Sequence, residues 1–230
     1  MRKTSKKKTV NKAHRPKISK QVIAEIFARF KKKDPNPKGE LEYHNAFTLL
    51  VAVVLSAQAT DVSVNKVTRQ LFKKADTPYA MVALGEDSIR ELIKSVGLFR
   101  NKAKNVFKLS QNLIEKNEGK VPADRDSLEA LPGVGRKTAN VVMNVWYKQP
   151  TIAVDTHVFR ISNRLGLAPG KNPLEVETIL LKVVPDEYSM YAHHWLILHG
   201  RYICYARQPA CSRCLIRDLC IFEHKSSVSL

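Results

Sequence analysis

Leu131-Pro132-Gly133-Val134-Gly135-Arg136-Lys137-Thr138-Ala139 is the stretch that decides how this chain folds. Two glycines one residue apart let the backbone turn sharply and come close to a ligand. After them, Ala139, Val142, Met143 and Trp146 recur with helical periodicity. Before them, Asp126 and Glu129 stand at the spacing of an N-cap carboxylate and an N3 glutamate, predicting a short helix that must stop at Pro132. The prediction is a helix, a tight Gly-x-Gly hairpin and a second helix whose free N–H groups face into the hairpin. Such a helix start binds phosphate. Arg136 rather than Gly precedes Lys137, and no strand-like run leads into the glycines, so this is not a nucleotide-binding P-loop. The phosphate it suits is that of a nucleic-acid backbone.

Charge points the same way. Across 230 residues, 39 Lys+Arg against 21 Asp+Glu leave +18 at pH 7, which favours a polyanion: nucleic acid first, an anionic membrane surface second. The longest apolar run, Ala46 to Ala57, is broken by Thr48 and Ser56 and falls well short of the roughly 20 residues that span a bilayer. No signal-peptide pattern is visible, so no membrane partner is expected and a monomer is the default. Residues 1–20 carry nine Lys/Arg and no acid. This predicts a basic disordered arm over residues 1–17, either a solubilising tail or a tether to DNA.

The rest reads as helices joined by short connections. Ser19 caps a helix with Val22, Ile23, Ile26, Phe27 and Phe30 on one face, ending before Asp34-Pro35-Asn36-Pro37. Ala46 to about Gln58 is apolar nearly all round and should be a central buried helix. Thr60-Asp61 and Thr77-Pro78 open two more, and Glu86 to Ser95 and Lys102 to Lys116 supply another pair. Beyond the hairpin come helices from Asp155 to Leu165, from Asn172-Pro173 through Val183, and from about Ser189 to Cys204. No segment makes a convincing strand, and the fold class is all-α.

Cys204, Cys211, Cys214 and Cys220 are the chain's four cysteines, spaced C-x6-C-x2-C-x5-C. They are too clustered to staple a domain of this size, and a metal site in a reducing, intracellular compartment fits better. Zinc and a 4Fe-4S cluster both accept four thiolates, and ligand chemistry alone does not choose between them. His193, His194 and His199 have no acidic or cysteine partner spaced with them and read as packing or hydrogen-bonding residues.

The glycine hairpin, Lys137, Asp155 in Val154-Asp155-Thr156-His157, and the cysteine spacing together resemble the endonuclease III family of base-excision DNA glycosylases, over roughly residues 18 to 222. The resemblance implies a helix-hairpin-helix DNA glycosylase fold. One helical domain would span 39–148, an iron-sulfur cluster domain would combine 18–38 with 149–230, and the catalytic cleft would lie between them. It also implies a 4Fe-4S cluster on the four cysteines and double-stranded DNA with damaged pyrimidines or abasic sites as partner. The activity would be removal of oxidised pyrimidines followed by strand cleavage. Lys137 takes the place of the catalytic lysine; the positive end of the helix dipole and Arg136 disfavour an ammonium there, as a nucleophilic amine requires. Asp155 takes the place of the catalytic carboxylate, although an N-cap is the commoner use of such a residue. Gln58 and Leu98 would fill the gap left by an extruded nucleotide, Gly133, Gly135, Arg136 and His157 would meet the backbone near the site, and Arg207 would reach phosphate from the cysteine loop. Gln208 and Ala210 are neutral where relatives are more basic, so contacts from that loop should be weaker. The competing class is a non-enzymatic DNA-binding module with a metal-clamped C-terminal loop.

Overall fold

The computed structural model describes residues 16–223; the basic arm expected over residues 1–17 lies outside them except for Pro16 and Lys17. The helices are α1 (Lys20–Lys33), α2 (Ala46–Leu55), α3 (Asp61–Lys74), α4 (Pro78–Leu84), α5 (Glu86–Leu92), α6 (Phe99–Asn117), α7 (Arg125–Glu129), α8 (Arg136–Val145), α9 (Thr156–Leu165), α10 (Pro173–Val183) and α11 (Asp186–Tyr202). No strand occurs among the described residues. The chain divides into two compact units, one of residues 38–153 and one built from 16–37 together with 154–223.

In the unit of residues 38–153, α2 is the axis. Leu50, Val51, Ala52 and Leu55 are fully buried, and α3, α6 and α8 pack around them. Its start is a reciprocal cap: Asn45 Oδ1 accepts from Thr48 N at 2.8 Å, and Thr48 Oγ1 accepts from Asn45 N at 3.0 Å. Leu71, Met81, Ile89, Leu109, Leu113 and Val142 complete the core. Each contributes on the order of 1.5–3 kcal/mol through removal from water. The helix ends at Leu55, earlier than its apolar run predicts. There the Ser56 hydroxyl donates to the Val53 carbonyl at 2.8 Å, and Gln58 takes a left-handed backbone with φ 54°.

In the other unit, Ile23, Ile26, Phe27 and Phe30 of α1 are buried against α11, where the Phe27 ring lies 6.0 Å from Tyr188 and 6.3 Å from Trp195. Trp195 Nε1 donates to the Asp34 carbonyl at 2.8 Å and fixes the end of α1. α9 packs on α11 at Gly200, where a Cβ would come within 2.9 Å of His157 Cβ. Arg29 donates to the Leu215 carbonyl at 3.0 Å and to both Asp218 carboxylate oxygens at 2.6 and 2.9 Å, tying the C-terminal loop to α1.

Several helix starts differ from the sequence expectation. α7 is capped by Asp124, whose Oδ1 accepts from Ser127 N at 2.9 Å, so Asp126 falls inside the first turn instead of at the cap. α6 starts at Phe99, ahead of Lys102, from a Leu98 in the left-handed region that no side-chain pattern announces. α11 starts at Asp186 behind Pro185, with Asp186 and Glu187 at the positive end of its dipole.

Candidate active site and cysteine cavity

The hairpin closes through Val134 N donating to the Leu131 carbonyl at 3.1 Å. Gly133 has φ 79°, and a Cβ there would lie 2.9 Å from Asn105 Cβ, so both backbone and space demand glycine. Around Gly135 a Cβ would meet nothing within 4 Å, and no side chain caps α8 there. The start of α8 is therefore open on the side where a phosphate would sit. Arg136 and Lys137 form its first turn, Lys137 exposed and Ala139 buried.

Sequence reasoning missed what holds this turn. Asn140, fully buried on α8, accepts from Arg125 Nε at 3.1 Å and Nη2 at 2.8 Å, locking the two hairpin helices together. Its amide donates to the Ile152 carbonyl at 3.2 Å, and Asn144 donates to the Thr151 carbonyl at 3.1 Å and the Gln149 carbonyl at 3.2 Å. Two asparagines spaced i, i+4 on the apolar face of α8 were the available signal. They hold the chain that leads on to Asp155. Trp146, assigned to the same buried face, caps the end of α8 and is 38% exposed.

Asp155 is the N-cap of α9. Its Oδ1 accepts from His157 N at 2.9 Å and Val158 N at 2.8 Å, which fixes the rotamer of the carboxylate. His157 is half-buried, and its Nδ1 lies 3.2 Å from Arg160 Nη2. That guanidinium also donates to the Gly200 carbonyl at 2.7 Å and the Cys204 carbonyl at 3.1 Å. Burial lowers the Arg160 pKa from its ordinary value.

Gln58 and Leu98 share an unusual backbone. Both have positive φ, 54° and 59°, both are exposed, and a Cβ on Gly97 would stand 3.8 Å from the Gln58 carbonyl. The two loops are neighbours. Leu98 is 57% exposed, so it is not part of the core. Left-handed non-glycine residues concentrate where backbone strain serves a function.

None of the four cysteines forms a disulfide, and all four line one cavity, part of it open to solvent, together with Ile161, Arg164, Leu165, His199, Ile203 and Phe222. Burial pushes the Cys214 thiol up to about 11, with Cys220, Cys204 and Cys211 adding to the rise. Four sulfurs so placed repel one another as thiolates unless a positive centre lies among them. Among the described residues no group of three or more His, Cys, Asp or Glu converges closely enough to hold a single ion. Arg207 is exposed on the loop between Cys204 and Cys211. His199 is buried, lies 3.4 Å from Cys214 Sγ through Nε2, and has its pKa lowered to about 4 by burial, with Lys33 adding to the effect. No helix among the described residues is long and apolar enough to cross a membrane.

The class follows from residues 51–186, which match the model of the HhH-GPD superfamily base excision DNA repair proteins. Endonuclease III of Haemophilus influenzae is 55% identical over 208 residues, covering 90% of this chain and 99% of that one. Endonuclease III of Escherichia coli K12 is 54% identical over 211 residues, covering 92% and 100%. The structure of a trapped endonuclease III–DNA covalent intermediate superimposes with a TM-score of 0.83 at 48% identity, covering 89% of this chain and 96% of that one. Within its superfamily, this chain belongs to the endonuclease III family. That family implies a cluster, and the four cysteines to hold one are present.

Proposed function

We propose that the chain is a bifunctional DNA glycosylase and abasic-site lyase that removes oxidised pyrimidines from duplex DNA in base excision repair, with Lys137 as its nucleophile. The observation that carries this is an exposed lysine in the first turn of α8, beside an open, uncapped helix start and a hairpin braced by Arg125 and Asn140. An endonuclease III trapped as a covalent intermediate with DNA calls for a nucleophile of this kind. The Lys137 amine attacks C1′ of the damaged nucleotide, the C1′–N bond breaks, and the base leaves with the electron pair and a proton. The resulting imine acidifies the C2′ proton, and its removal expels the 3′ phosphate by β-elimination. Asp155, held by its two capping bonds, stabilises the positive charge that develops on the sugar. Gln58 and Leu98, exposed on adjoining strained loops, fill the gap left when the nucleotide is extruded. Gly133, Gly135 and Arg136 bind phosphate at the hairpin, His157 acts near Asp155, and Arg207 adds a contact from the cysteine loop.

Cys204, Cys211, Cys214 and Cys220 hold a 4Fe-4S cluster. The four sulfurs line one cavity, and membership of a family that implies a cluster favours iron-sulfur over a single zinc. When bound, the cluster supplies a cross-link that fixes the loop carrying Arg207. Cysteines outside any disulfide fit a reducing compartment.

Borohydride trapping on a duplex carrying one oxidised pyrimidine tests the chemistry. A covalent adduct with the intact protein and none with Lys137→Ala is expected, with strand cleavage lowered by about a thousandfold or more. Cleavage by Lys137→Ala at the original rate would refute the assignment. Binding with neither adduct nor base release would favour the non-enzymatic module.

A further inference from the structure

The sulfurs of Cys204, Cys214 and Cys220 each meet an N–H group from outside the ligand set. Arg164 Nη1 donates to Cys204 Sγ at 3.4 Å, His199 Nε2 lies 3.4 Å from Cys214 Sγ, and the backbone N–H of Phe222 lies 3.5 Å from Cys220 Sγ. The two side chains are held in place by other contacts. The Arg164 guanidinium also donates to the Tyr205 and Ala206 carbonyls, each at 2.6 Å, and lies 4.7 Å from the centre of the Phe222 ring. His199 is 6% exposed, with its ring edge-on to Phe30 at 5.2 Å. A ligating thiolate accepts hydrogen bonds and has no proton to give, so Nε2 of His199 must carry the proton.

We infer that Arg164 and His199 are positioning residues that set the reduction potential of the group bound by the four cysteines and slow its oxidation. With the 4Fe-4S assignment made above, the physics has one sign. Gain of an electron adds negative charge that spreads onto the sulfurs, and N–H donors aimed at those sulfurs stabilise the more negative state. The donor on Cys204 and the donor on Cys214 both raise the potential. Loss of an electron to dioxygen then becomes harder. Because Arg164 also grips the Tyr205 and Ala206 carbonyls, it orients the start of the loop that bears Arg207.

The test uses the cluster-loaded full chain with Arg164→Gln, His199→Leu and the double variant. Iron and sulfide content, the reduction potential from a redox titration, and the rate at which visible absorbance fades in air are measured for each. Expected are wild-type iron content, a lower potential in both single variants, the lowest in the double variant, and fading faster by severalfold. Arg164→Lys, which keeps a cation beside Cys204, should recover part of the shift. Variants that keep their iron and titrate at the wild-type potential would overturn the proposal. Loss of iron from both single variants would also overturn it, by making the two side chains structural supports only. Wild-type protein with zinc and no iron would instead refute the cluster assignment itself.

Discussion

The hairpin between α7 and α8 and the loop from Cys204 to Cys220 both present basic residues on an irregular backbone, yet they are held by opposite means. The hairpin is shaped from within: Gly133 at positive φ, Asp124 capping α7, Arg125 joined to Asn140, and α8 seated on the core around α2. The cysteine loop has little core of its own. Pro209, Cys211 and Ile216 are buried, and the remainder hangs on the cysteines and on arginines reaching in from other helices: Arg29 to Leu215 and Asp218, Arg160 to Cys204, Arg164 to Tyr205 and Ala206. A turn that lies between two helices can be specified by its neighbours in sequence. A loop without a core needs a ligand and distant partners.

Removing one ligand should break that contrast open most widely. Cys214→Ala is expected to release the bound group and strip amide-exchange protection from residues 204–220 down to the level of an unfolded segment, while amides of α2 and α8 keep theirs. Equal loss in both regions would mean that the hairpin depends on the cysteines as well. A smaller effect is expected from Asn140→Ala, which takes the shared acceptor from Arg125 and the donor from the Ile152 carbonyl. Leaving the buried Ile152 carbonyl without this donor costs about 1–3 kcal/mol, read as a lower urea midpoint with an unchanged slope. Stability equal to wild type would mean that the Asn140 bonds add nothing to the support from the core around α2.

The two regions also differ in how legible they were. The hairpin followed from Gly-x-Gly, Pro132 and the periodicity after Ala139, because turn chemistry and helix period are local signals. Even there the cap moved from Asp126 to Asp124, since several acids lie within a few residues of that start and only backbone direction decides which one turns inward. Asn140 and Asn144 passed unnoticed because a polar residue on an apolar face reveals no partner until the chain returns at Gln149–Ile152. Around the cysteines, spacing announced the ligands and nothing announced Arg164 or His199, whose contacts with Cys204 and Cys214 span 40 and 15 residues. His199 was read as a packing or hydrogen-bonding histidine with no cysteine spaced to meet it; the fold brings Cys214 to its Nε2. Gln58 and Leu98 were expected only from the resemblance, since positive φ at a non-glycine residue leaves no mark in composition.

The smallest effect isolates the hairpin's own cap. The Ser127 N–H holds the Asp124 carboxyl below the usual carboxylate range, so the folded chain favours the ionised form. The unfolded chain then binds more protons in acid. The cap's contribution is complete above the ordinary aspartate value of about 3.9 and is lost as pH falls through the lower folded value. Asp124→Asn keeps an oxygen that can accept from Ser127 N but cannot take up this proton. Its unfolding free energy should run a little below that of wild type at neutral pH and meet it in acid. Exchange at the Ser127 amide should follow the same course in the wild type and stay level in the variant. Parallel pH curves would mean that the cap contributes nothing measurable.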